Sequence, residues 1–173
     1  MRDALALPAS ELVADRPPGL HPTRSARIEV AGQPVGYVGE IDPAVLEAYD
    51  LGGRVGWLEL DLTTLLAVPH GEPRYHPISR YPSSDVDLAF AVADDVPAGA
   101  IGATLREAAG DLLADLWLFD VYRDATLGEG RRSLAYRLRL QAADRTLTDA
   151  DVAAVRAAGI DAVTERHGAS LRA

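Results

Sequence analysis

Three arginines bracket one loop in the second half of the chain, Arg123 at its start and Arg131 and Arg132 at its end, with Gly128, Glu129 and Gly130 between them. A guanidinium grips anions through a planar fork of N–H donors, and glycines let backbone N–H groups come close to a phosphate. Asp124 and Glu129 are the only acids in the loop. Two readings stand: a contact for something anionic, or an ordinary flexible hairpin turn.

The run after the loop alternates, with Leu134, Tyr136, Leu138 and Leu140 on one side and Ala135, Arg137, Arg139 and Gln141 on the other. If Phe119 and Val121 of the preceding run are core, Asp120 and Tyr122 share the polar face with Arg137 and Arg139, and Asp85 and Asp87 join them from an earlier strand. Such a face is either a platform on which Tyr122 stacks a base while arginines fix phosphates, or a solvated face of cross-strand Arg–Asp pairs. Arg80 either reaches RNA or anchors the linker before the first strand. Arg145 braces a helix start with Asp144 or Asp149.

Other chemistries find little support. Asp85 and Asp87 have the spacing of a carboxylate pair or metal site, yet no histidine shares their face. His21, His70, His76 and His167 fall in loops or at a helix end, at no spacing that makes a metal site, and are read as solvated. There is no cysteine, hence no thiol nucleophile and no disulfide framework. No Ser-His-Asp grouping has supporting context.

The elements that must position these residues can be read along the chain. Residues 1–20 look like the end of a helix broken at Pro17-Pro18-Gly19. A hairpin covers Arg27 to Ile41, turning at Gly32-Gln33. Asp42 caps a short helix, Ala44 to Tyr49, with Pro43 at its first position. Val55 to Leu62 alternates as a half-buried strand, with Leu58, Leu60 and Leu62 on one side. Prolines crowd residues 69–84, the best domain boundary. Beyond it come a strand (Asp85 to Val92), a helix (Ala98 to Leu113) capped by Asp94 or Asp95, strands Asp115 to Tyr122 and Ser133 to Gln141, and a helix capped by Thr148 in a capping box with Asp151. Gly168 ends that helix, and Ser170 to Arg172 supply a short last strand. The order β-α-β-β-α-β is the split unit of a ferredoxin-like sandwich, an α+β fold with two helices on one sheet face.

The chain has 173 residues, nearly half apolar, and a formal charge of −9. That excludes a protein that coats nucleic acid through bulk electrostatics, since both halves are acidic; any RNA contact is local. All 17 cations are arginine, read first as the habit of a GC-rich genome. The start, Met1-Arg2-Asp3-Ala4, lacks the apolar stretch of a signal peptide, and no run has the length to span a bilayer. A cytoplasmic protein is expected.

Several of these pieces, in order and spacing, resemble the C-terminal end of the bacterial phenylalanyl-tRNA synthetase beta subunit. They are Pro77-Ile78-Ser79-Arg80-Tyr81-Pro82, Asp87-Leu88-Ala89, Leu118-Phe119-Asp120-Val121-Tyr122, Gly130-Arg131-Arg132-Ser133-Leu134-Ala135-Tyr136 and Asp144-Arg145-Thr146-Leu147-Thr148-Asp149. Through His21-Pro22-Thr23-Arg24-Ser25-Ala26 and Gly39-Glu40-Ile41-Asp42-Pro43, residues 1–68 resemble the tail of that subunit's class II-like core domain, although the family commonly has Gly where Thr23 stands. The resemblance implies a partial core domain in 1–68, a linker in 69–84 and a ferredoxin-fold anticodon-binding domain in 85–173.

On that resemblance the chain contacts the anticodon stem-loop of phenylalanine tRNA through Arg80, Tyr122, Arg123, Arg131, Arg132, Arg137 and Arg139. Aminoacylation with ATP and magnesium belongs to the alpha subunit of a heterotetramer, with no cofactor or catalytic residue in this chain and no role for DNA or membrane. A protein-interaction module without RNA binding is the alternative. An acylphosphatase-type enzyme of the same fold would need an arginine-bearing anion cradle where Asp94-Asp95-Val96-Pro97 stands. The beta subunit is several times longer, so this is either a piece of one or a shortened relative, and its partial core domain is expected to expose apolar surface.

Overall fold

Two compact units, Met1–His76 and Pro77–Ala173, divide the chain. The structure, a computed structural model, describes residues 7–69, 71 and 79–172; His70, His76 and the Pro77-Ile78 dipeptide lie outside them.

In the first unit four strands form an antiparallel sheet in chain order: β1 (Ser10–Ala14), β2 (Leu20–Val30), β3 (Gln33–Ile41) and β4 (Gly56–Leu60). The β2–β3 turn is Ala31-Gly32, both at positive φ, the backbone of a tight two-residue hairpin. Asp42 caps α1 (Pro43–Ala48) by accepting from the Ala44 N–H at 2.8 Å. Gly36 marks a close strand approach: a Cβ there would sit 2.0 Å from the Glu59 carbonyl oxygen.

Three expectations fail in this unit, one being the turn expected at Gly32-Gln33, which falls a residue earlier because Gln33 already pairs with Val30. The helix end expected within residues 1–20 is instead β1, which pairs with β2 from Ser10↔Val30 to Ala14↔Ala26; the open edge of β2 supplies hydrogen bonds that local sequence does not announce. The strand expected to reach Leu62 stops at Leu60, because the Asp61 carboxylate accepts from the Thr63 and Thr64 N–H groups and starts α2 (Leu62–Ala67). As a result Leu58 and Leu62 are exposed. The small core is Val30, Val35, Leu65 and Val68, and the unit does expose apolar side chains, among them Leu12, Tyr49, Leu51, Trp57 and Leu66.

The second unit runs β5 (Ser84–Ala93), α3 (Ala98–Ala109), β6 (Leu113–Tyr122), β7 (Arg131–Leu140), α4 (Asp149–His167) and β8 (Ser170–Arg172). Its antiparallel sheet has the order β6-β7-β5-β8, the arrangement of a ferredoxin-like sandwich. Alternation buries Val86, Leu88, Phe90 and Val92 of β5 with Leu134, Tyr136, Leu138 and Leu140 of β7, against Ile101 and Leu105 of α3 and Val155 and Val163 of α4. Each large aliphatic or aromatic side chain so buried contributes about 1.5–3 kcal/mol. Gly159 lets α4 close on α3, since a Cβ there would come within 3.2 Å of the Leu105 side chain.

Helix ends follow their caps. Thr148 and Asp151 make the reciprocal capping box, Arg145 braces it through Asp151 rather than Asp144 or Asp149, and Gly168 ends α4 in the left-handed region. The start of α3 differs from expectation: Pro97 is the capping residue, no side chain caps it, and neither Asp94 nor Asp95 does so. Its end comes earlier too, at Gly110 (φ 56°), where a glycine accommodates the positive angle, and β6 begins at Leu113.

Candidate nucleic-acid interface

The open face of the second sheet is built by register. β5 and β7 pair Asp85 with Arg139 and Asp87 with Arg137. Both pairs close as bidentate forks: Arg137 Nε and Nη2 donate to Asp87 at 2.6 Å each, and Arg139 Nε and Nη2 donate to Asp85 at 2.9 Å each. Hydrogen bonds from the arginines hold both carboxyls below the usual carboxylate range. Such exposed pairs contribute little to stability.

Aromatic rings lie on the other side of the same guanidiniums. Arg137 sits 5.3 Å from the centre of the Phe119 ring and Arg139 5.4 Å from that of Trp117, within cation–π range. Phe119 therefore belongs to the open face, not the core, and is 49% exposed. The cause is an irregularity in the β6–β7 register between Leu118 and Asp120, which breaks strict alternation. Val121 is also exposed rather than core, while Asp120 and Tyr122 pair with the open-face residues Ala135 and Ser133. Trp117 and Phe119 are thus open-face residues that alternation alone misses. Tyr122 carries Arg172 of β8 over its ring at 5.5 Å, and a hydrogen bond with Asp124 raises its phenol pKa.

The loop arginines are dispersed. Arg123 leaves the loop and donates to Asp94 Oδ1 at 2.6 Å, an acid from the β5–α3 connection. Arg131 and Arg132 begin β7, so strand alternation sends them to opposite faces: Arg131 donates to the Ala91 carbonyl and Arg132 to the Val96 carbonyl, both at 2.8 Å. Neither has a carboxylate partner among the described residues. The Asp94 N–H also donates to the Gly130 carbonyl at 2.8 Å, and Asp124 caps a single turn at Ala125–Leu127. Arg80 is exposed and unpaired among the described residues.

The remaining candidates are accounted for locally. His21 accepts from the Thr23 N–H and contacts Arg24; His167 bonds the buried Thr104 hydroxyl at 2.8 Å, tying α4 to α3. Among the described residues no three His, Asp or Glu side chains stand together as metal ligands. Among the described residues no helix is long and apolar enough to cross a membrane.

The chain's arrangement has clear relatives. Residues 79–172 match the family model of the ferredoxin-fold anticodon binding domain, and residues 1–62 match that of the phenylalanyl tRNA synthetase beta chain CLM domain. The chain is similar to the phenylalanine–tRNA ligase beta subunits of Moorella thermoacetica (45% identical over 90% of this chain), Nocardia farcinica (44% over 98%) and Geobacillus kaustophilus (44% over 88%). It spans only 19%, 20% and 19% of those proteins. With the matched domain covering more than half of its residues, the chain belongs to the ferredoxin-fold anticodon binding domain family, in the form found in phenylalanine–tRNA ligase beta subunits.

Proposed function

We propose that the chain supplies the anticodon stem-loop contacts of a phenylalanine–tRNA ligase. Tyr122, Arg137 and Arg139, with Trp117 and Phe119, form a stacking surface for unpaired bases, while Arg80, Arg123 and Arg131 meet phosphates around its edge and Arg132 meets them from the helix-bearing side. The observation that carries this reading is the open face itself, where Arg137 and Arg139 are each held between a carboxylate and an aromatic ring. Flat guanidinium and aromatic surfaces are what single-stranded RNA stacks on. Aminoacylation, with ATP and magnesium, falls to the alpha subunit of a cytoplasmic heterotetramer, and this chain contributes positioning.

A second reading, an assembly module without its own RNA contacts, draws on one observation: the exposed Leu12, Leu51, Trp57, Leu58 and Leu66 of the first unit. Titration with phenylalanine tRNA and a non-cognate tRNA, with and without a cognate alpha subunit, separates the two. Preferential binding of the phenylalanine tRNA that weakens when Arg137 and Arg139 are replaced by alanine supports the first. Tight binding of the alpha subunit with no tRNA preference in the assembled complex overturns it in favour of the second.

A further inference from the structure

On the opposite, helix-bearing side of the second sheet, α3 and the edge strand β6 enclose a cleft of about 220 Å³. Ala98, Gly99 and Gly102 line it from α3, with Arg106 one turn further on, and Leu116 and Leu118 line it from β6. Gly102 keeps it open: a Cβ there would meet Leu116 Cδ2 and Tyr136 Cε1 at 3.7 Å and Arg106 Nη1 at 3.4 Å. Tyr136 closes the inner wall, its hydroxyl donating to the Ala98 carbonyl at 2.7 Å, and burial pushes its pKa up to about 12.

The charge around this cleft differs from that of the open face. Arg106 is exposed and its side chain has no ion pair or hydrogen bond among the described residues, whereas Arg123, Arg137 and Arg139 are each held by an aspartate. Arg132, behind Tyr136, has only the Val96 carbonyl as partner, so its charge is also uncompensated, and both guanidiniums act on the Tyr136 phenol. The first turn of α3 has no side-chain cap, although the Pro97 carbonyl accepts from the Ala100 N–H at 3.0 Å. The nearest acid on β6, Asp115, acts on Arg139 of the other face and accepts from the Leu116 N–H at 2.8 Å.

An apolar slot with one cationic end fits a flat ring carrying an anionic group. Its volume is below the roughly 300 Å³ at which pockets for drug-sized ligands begin, so it accommodates one ring system and not a larger molecule. Leu116 directs its N–H outward from the sheet edge, and the two-residue repeat of the strand gives Leu118 the same outward backbone, a hydrogen-bonding edge beside the slot.

We infer that this cleft takes one nucleotide of an RNA strand, its base between Gly102 and Leu118 and its phosphate on Arg106. The inference rests on the RNA-binding reading above and adds a second contact on the helix side of the sheet. It gives Arg106 a role that no sequence motif signals and makes Arg132 a contributor to the local field.

The test uses the full chain, labelled with nitrogen-15 and titrated with adenosine 5′-monophosphate, with adenosine and inorganic phosphate in parallel. The nucleotide is expected to shift the Gly99, Gly102 and Leu118 amides saturably, with neither fragment matching it at equal concentration. Arg106→Ala and Gly102→Ala should each weaken that binding at least tenfold. Gly102→Ala replaces glycine inside a helix by a better helix former, so its melting temperature should not fall, and filling of the slot is separated from loss of fold. Unchanged binding by both variants, shifts confined to the open face, or equal responses to phosphate alone would overturn the cleft as a nucleotide site. Phenylalanine tRNA bound equally by wild type and both variants would remove the cleft and leave the tRNA reading standing. Saturable nucleotide binding lost in Arg106→Ala, with no tRNA binding even in the presence of the alpha subunit, would do the reverse.

Discussion

Arg137 is gripped from two sides at once: its Nε and Nη2 both reach the Asp87 carboxylate at 2.6 Å, and its guanidinium lies 5.3 Å from the centre of the Phe119 ring. The carboxylate cancels its charge while the ring fixes its plane. Asp85, Arg139 and Trp117 repeat the arrangement one register step away. The open face is consequently near neutral, and its attraction for RNA is mainly stacking. Replacing Asp85 and Asp87 together by Asn is expected to raise tRNA affinity and steepen its dependence on salt by about one to two units of log–log slope, as freed guanidiniums engage phosphates. Binding isotherms across a salt series measure this, and an unchanged slope would remove the two arginines from the phosphate contacts.

Arg131 and Arg132 are neighbours in sequence with separate tasks. The double change to alanine should weaken tRNA binding and flatten its salt slope. Taken singly, each change should also lower stability by about 1 kcal/mol, since each removes a half-buried hydrogen bond, from Arg131 to the Ala91 carbonyl or from Arg132 to the Val96 carbonyl. Thermal melts of the two single variants check this, and melting temperatures equal to that of the wild type would contradict it.

The cap of α4 has a pH signature. Hydrogen bonds from Arg145 and Thr148 hold the Asp151 carboxyl well below the usual carboxylate range. A carboxyl with a depressed folded-state pKa stabilises at pH values above its unfolded pKa of about 3.9 and loses that contribution as pH falls toward the folded value. Asp151→Asn is therefore expected to be destabilising at pH 7, with the gap from wild type narrowing below about pH 4. Thr148→Ala removes the other half of the box, at a cost of about 1 kcal/mol. Urea titrations at several pH values decide; a pH-independent gap would rule out the linkage.

Gly36→Ala tests whether the two units hold their structure separately. A methyl group 2.0 Å from the Glu59 carbonyl forces β3 and β4 apart. Hydrogen exchange should show protection lost across Gln33–Ile41 and Gly56–Leu60, with β5, β7 and α4 unchanged. Loss of protection throughout the second unit would show that the units depend on one another.

Much of the second unit was legible because alternation and caps are local signals. Val86 to Val92 and Leu134 to Leu140 alternate cleanly, and Thr148, Asp151 and Gly168 mark their helix unambiguously. Even the Arg–Asp pairing was one of two readings open for the polar face. What the chain does not spell out depends on pairing between distant strands: the register irregularity that turns Phe119 outward, the edge of β2 that recruits Ser10–Ala14. Asp61 continues the alternation of the strand before it, although the run Asp61-Leu62-Thr63-Thr64 is also a cap signal. The aspartates before α3 had the cap residue type but the wrong partners, as Asp94 is engaged by Arg123 and Gly130.

Asp94 fastens the tip of the β6–β7 hairpin at two points of unequal strength: a side-chain fork partner, Arg123, open to competition from solvent ions, and a main-chain bond to Gly130 that no ion displaces. A polyanion that draws Arg123 away leaves the second fastening intact. The tip then stays tied to the β5–α3 connection through Gly130, and β7 keeps its alignment with β5.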